Sequence, residues 1–171
     1  YTQTNGTPEL RRAIAALHPG ADESNVQVTS GGAEANFVAA WTVLEPGDEV
    51  VAMVPNYQQV HGLAAAFAGT VRPWPLEHDR ATGRWSVDLD MLGDLVNART
   101  KLIAICNPNN PTGMRFDANM LDAIAEIADR HGTWVLADEI YRGAEFDGVE
   151  TPTMWGRSPR VIVTNSLSKS Y

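Results

Sequence analysis

Apolar positions along this chain recur with two alternating periods. The stretches "DEVVAMVP", "KLIAIC", "TWVLAD" and "RVIVTN" are short and almost continuously apolar, which predicts buried strands. Between them lie longer segments with apolar residues three or four apart, the helical spacing. The first carries Thr7 as N-cap, Pro8 at the first helical position and Leu10, Ile14 and Leu17 as its stripe. "NVQVTS" reads as a short strand entering Gly31-Gly32, and a helix through "AEANFVAAWTVL" ends before Pro46-Gly47. "QQVHGLAAAFAG" predicts a helix closed by Gly69, "TVRPWPL" a further strand and "HDRATGRW" a polar turn. Asp88 caps a helix bearing Leu89, Leu92, Leu95 and Val96, and Asp117 caps another with Leu121, Ile124, Ala125 and Ala128 on one face.

Strands and helices that alternate over the whole length predict an α/β fold: a three-layer sandwich with a mostly parallel central sheet. No internal repeat, low-complexity tract or linker divides the chain, so residues 1–171 read as one domain. That length suffices for a substantial core.

Composition removes several classes of function. With 13 Lys+Arg against 21 Asp+Glu, a net charge of -8 and no basic run, the chain offers no nucleic-acid surface. A single cysteine, Cys106, forms no intrachain disulfide and suits a reducing, cytoplasmic compartment; its setting reads as that of an inert core thiol. Four histidines lie without metal-ligand spacing. No apolar run approaches the ~20 residues a membrane span needs.

In open α/β sheets the binding crevice lies beyond the carboxyl ends of the strands. Those ends carry Ser30-Gly31-Gly32-Ala33, Asn56-Tyr57, "NPNNP", Asp138 with Glu139 and Tyr141, and finally Ser166, Ser168 and Lys169. A glycine pair opening a helix leaves N–H groups bare for an anion such as phosphate, though it lacks both nucleotide-loop spacings and a plain turn would look the same. A carboxylate at a buried strand end requires a cation or strong donors: a metal, a protonated ring nitrogen, or the next turn. A lysine whose amine is crowded by a cation or desolvated becomes a nucleophile toward an aldehyde. Aldehyde, ring nitrogen and phosphate together describe pyridoxal 5'-phosphate.

The ordered set "NPNNPTG", "ADEIYRG" and "SLSKSY", with "YTQTNGTPELRRAI" and "TSGGAEA" before it, resembles the class I/II aminotransferases among the fold-type-I pyridoxal-phosphate enzymes. The resemblance spans essentially the whole chain. It implies that Lys169 forms the internal aldimine and shuttles the substrate proton, and that Asp138 pairs with the protonated pyridine nitrogen. It further implies Tyr141 and Asn110 on the phenolic oxygen and Tyr57 stacked on the ring. Gly32, Ala33 and Ser166 would hold the phosphate, with Ser168 a further candidate there. Tyr1 would reach the phosphate of a neighbouring subunit in a homodimer.

Relatives continue past the lysine into a small C-terminal domain. The chain is therefore expected to be the large cofactor-binding domain, without an N-terminal segment or that small domain, and not to turn over by itself. Amino acid and 2-oxo acid are the implied substrates. A lyase or cyclase of the same fold, similar to aminocyclopropane-carboxylate synthases or capreomycidine synthase, shares these residues. So does the aminotransferase-like effector domain of some transcription regulators.

Overall fold

In the computed structural model, which describes residues 3–170, the chain runs through α1 (Pro8–Ala15), a short 3-10 turn (Glu23–Asn25), α2 (Gly32–Val43), β1 (Glu49–Val54) and α3 (Gln58–Phe67). There follow β2 (Thr70–Asp79), β3 (Arg84–Val87), α4 (Leu89–Leu95), β4 (Thr100–Cys106), α5 (Ala118–His131), β5 (Trp134–Asp138) and β6 (Val161–Thr164). The strands pair in the order β3-β2-β1-β4-β5-β6, and every pairing except β2 with β3 is parallel.

Alternation along each strand builds two cores. Val51, Met53, Ile103, Ile105, Val135 and Ala137 point to the face covered by α4 and α5. Val50, Leu102, Ala104 and Leu136 point to the face covered by α2 and α3. This is the expected three-layer sandwich.

The caps fall where the sequence placed them. Thr7 Oγ1 accepts from the Leu10 amide, Asp88 from Met91 and Asp117 from Met120, each satisfying a donor that the helix leaves bare.

Two expectations are corrected. The segment "NVQVTS" joins no strand pairing among the described residues: Val28 N–H donates to Asn5 O at 3.2 Å instead. Its alternation matches a strand, but alternation cannot supply a partner. The polar stretch "HDRATGRW" is the top of a hairpin rather than a plain turn. Asp79 accepts from Ala81 N–H and Thr82 Oγ1 at 2.8 and 2.7 Å, so β2 runs into the turn and β3 returns antiparallel. At a solvated sheet edge polar residues suit both faces, which hides the strands from an apolar pattern.

Candidate active site

The carboxyl ends of β4, β5 and β6 converge with the start of α2, and most of the candidate residues lie on that rim. Asp138 is the last residue of β5. Its backbone is held on both sides, by Asn107 N–H donating to Asp138 O at 2.9 Å and by register pairing with Thr164 on β6. Two residues on from Leu136, its side chain shares the α2 face. It is buried, with 4% of its surface exposed.

Asp138 Oδ2 accepts from Asn36 Nδ2 at 2.9 Å, and Oδ1 accepts from the Ile140 amide at 3.1 Å. Burial pushes its carboxyl up from the ordinary range, and these two donors oppose the shift. Both donors are neutral. A carboxylate buried among neutral donors fits a cationic N–H from a ring. It fits a metal less well, since no cluster of three or more His, Cys, Asp or Glu is present among the described residues.

Nearby Cys106 behaves as the sequence suggested. Burial, then the Asp138 charge, pushes its thiol up to about 12, so it carries no thiolate at neutral pH.

Lys169 lies five residues beyond the end of β6, with Nζ 5.9 Å from the centroid of the Tyr141 ring. Tyr141 leaves the end of β5 three residues after Asp138, so the lysine and the acid depart from adjacent strands on one rim. Lys169 is exposed, so the burial of its amine considered above is not met in this structure.

The first turn of α2 approaches closely. A Cβ on the buried Gly32 would lie 3.3 Å from Ile140 Cδ1 and 3.6 Å from both Asn165 O and Ser166 Cβ. Glycine there lets the helix N-terminus touch the segment that carries Ser166 and Lys169. Gly31 precedes it at φ 134, a conformation side chains avoid, and no side chain caps the helix. The first-turn N–H groups of Gly32 and Ala33 therefore have no side-chain acceptor, and they lie beside Ser166, whose hydroxyl is 2.9 Å from that of Ser168.

Asn110 and Tyr141 share an open hollow of about 500 Å³. Its floor is set by the buried Asn109, which accepts from Thr112 Oγ1 at 2.6 Å and donates to Pro55 O at 3.3 Å. Ser166 and Ser168 border a separate hollow of about 620 Å³ between β6 and residues 25–31. Tyr57 stands half-exposed at the start of α3, which Gln59 ties to α2 by donating to Ala33 O at 2.7 Å. Tyr1 lies outside the described residues.

Sequence reasoning missed Asn36 and Thr164. Asn36 is 1% exposed, and Thr164 Oγ1 donates to its Oδ1 at 2.7 Å. The signal was present: Asn36, Ala39, Ala40 and Val43 form the buried stripe of α2, and Asn36 is the polar side chain on it.

A family model described as "Aminotransferase class I and II" matches residues 1–171. An arginine–pyruvate transaminase of Pseudomonas aeruginosa is 30% identical over the whole chain, which covers 44% of that protein. A probable N-succinyldiaminopimelate aminotransferase of Mycobacterium tuberculosis is 37% identical, again over the whole chain and 45% of its own length. The crystal structure of a PLP-dependent aminotransferase from Streptococcus suis superposes with a TM-score of 0.92 at 33% identity, covering all of this chain and 44% of that one. The chain thus spans under half the length of these relatives.

Proposed function

The chain belongs to the class I and II aminotransferases, and from that premise we propose that the full-length protein transfers the amino group of an amino acid to a 2-oxo acid. Residues 1–171 act in it as the domain that binds pyridoxal 5'-phosphate. The observation that carries this reading is Asp138, a carboxylate buried among neutral donors at the carboxyl end of β5.

The cofactor, when bound, supplies a cationic pyridine ring as a sink for the electron pair left at the substrate's Cα. Asp138 binds the ring N–H and keeps that charge in place. Lys169 Nζ holds the cofactor at its aldehyde carbon and moves the proton at substrate Cα. Tyr141 and Asn110 donate to the phenolic oxygen, and Tyr57 packs on the ring face. The Gly32 and Ala33 N–H groups, with the Ser166 and Ser168 hydroxyls, bind the phosphate at the start of α2. What supports these roles is their shared rim, together with the Tyr141–Lys169 approach.

The homodimer, with Tyr1 crossing to a neighbour, belongs to the same proposal. The exposed rings of Phe37 and Trp41, packed with the partly buried Phe67 at centroid distances of 5.5 to 5.7 Å, form a face that association would cover. A cytoplasmic location is proposed with it, supported by the lone thiol. Among the described residues no helix is long and apolar enough to cross a membrane.

The test uses the full-length protein loaded with pyridoxal 5'-phosphate. Given amino acid alone, a transaminase forms one 2-oxo acid per site and stops, and restarts when a second 2-oxo acid is added. Sustained product formation without an acceptor assigns a lyase or cyclase instead. A protein that takes up none of the cofactor overturns the reading.

A further inference from the structure

Asn36 stands on the buried stripe of α2, where an apolar side chain would serve packing better. A buried carboxamide persists without cost only when its polar atoms are matched. Here they are matched in a chain of fixed polarity. An ionised carboxylate only accepts hydrogen bonds, so Asp138 must face the Nδ2 side of the amide. The opposite end, Oδ1, also only accepts, so the Thr164 hydroxyl must aim its proton there. Reversing the amide would set oxygen against carboxylate at 2.9 Å and leave Thr164 facing an NH2 group.

The relay joins residues from α2, β5 and β6 that are 102 and 128 positions apart. Because β5 and β6 pair Asp138 with Thr164, both ends of the relay are anchored in the sheet.

We propose that Asn36, locked by Thr164, is a positioning residue that holds Asp138 as an oriented carboxylate toward the ring nitrogen of the cofactor. The inference rests on the functional reading above. Asn36 touches no reacting atom; it acts through Asp138 alone. Without it, one carboxylate oxygen loses its donor in a buried site, only the Ile140 amide is left to fix the side chain's orientation, and the neutral acid, a poor partner for a ring cation, becomes more favoured.

The test compares full-length wild type with N36L/T164V, which replaces both polar groups together and leaves no hydroxyl stranded. Two readouts are taken: the ¹⁵N chemical shift of the pyridine nitrogen in labelled pyridoxal 5'-phosphate, and the affinity for that cofactor by absorbance titration. The expected result is a shift toward neutral pyridine and an affinity lowered about tenfold, equivalent to ~1.4 kcal/mol. L121A, which opens a cavity in the opposite core layer, serves as the control for lost stability and moves neither readout while folded. Should N36L/T164V fail to fold, N36S, too short to reach Asp138, carries the same expectation. If the variant matches wild type in both readouts, this inference alone is overturned. If wild type itself binds no cofactor, the functional reading falls and takes the inference with it.

Discussion

Asp138 and Glu139, neighbours in sequence, face opposite layers of the domain. Asp138 meets Asn36 on the α2 side, whereas Glu139 Oε1 accepts from Met154 N–H at 2.7 Å and Thr153 Oγ1 at 3.0 Å on the other. Strand alternation separates them into a site residue and a structural one. Glu139 pins Thr153 and Met154 against the end of the strand on which Asp138 sits.

Removing that pin destabilises the fold. Glu139 is fully buried, and E139A would leave the Met154 amide and the Thr153 hydroxyl without their acceptor. The expected loss is ~2–4 kcal/mol in urea denaturation of the full-length protein.

The pH dependence of two carboxylates has opposite sign. Burial raises Glu139, so the folded state keeps its proton to higher pH than the unfolded one. The stability linked to it is full below the ordinary carboxylate range and falls as pH rises to the folded value. Glu49 is lowered, chiefly by the Asn97 side-chain bond and then by Arg99 and Arg72 against the opposing effect of burial. Its contribution is present above the ordinary range and disappears as pH falls through the folded value. Denaturation across pH should show E139Q gaining on wild type as pH rises through its window, and E49Q closing its deficit as pH falls through the other.

Lys169→Ala should leave the domain folded, because the side chain is exposed and its amine lies 5.9 Å from the centroid of the Tyr141 ring. Turnover by the full-length protein is expected to fall about 10³-fold or more, the range for loss of a general base. Activity within tenfold of wild type, measured with saturating cofactor, contradicts the assignment.

Gly31→Ala tests the entry to α2. At φ 134 a side chain is strained, and the expected cost is ~1–3 kcal/mol of stability. Weaker retention of pyridoxal 5'-phosphate on dialysis should accompany it, while inorganic phosphate should protect the variant less than wild type in thermal unfolding.

How far the sequence alone carries is visible residue by residue. Periodicity exposed the layered fold because a buried parallel strand and a helix with one apolar face leave different traces in neighbouring residues. Caps at Thr7, Asp88 and Asp117 were legible for the same reason, since each bonds a residue three positions on. The strand-end positions of Asp138, Tyr141 and Ser166 followed from those boundaries.

The tertiary structure decided what local pattern cannot contain. It set the strand order, kept residues 26–30 out of the sheet, and returned β3 as the antiparallel partner of β2. It also gave the buried amide of Asn36 its meaning, since the partners of that amide come from strands more than a hundred residues away. Periodicity is written by adjacent side chains, whereas a hydrogen bond between distant ones exists only after packing has brought them together and excluded water.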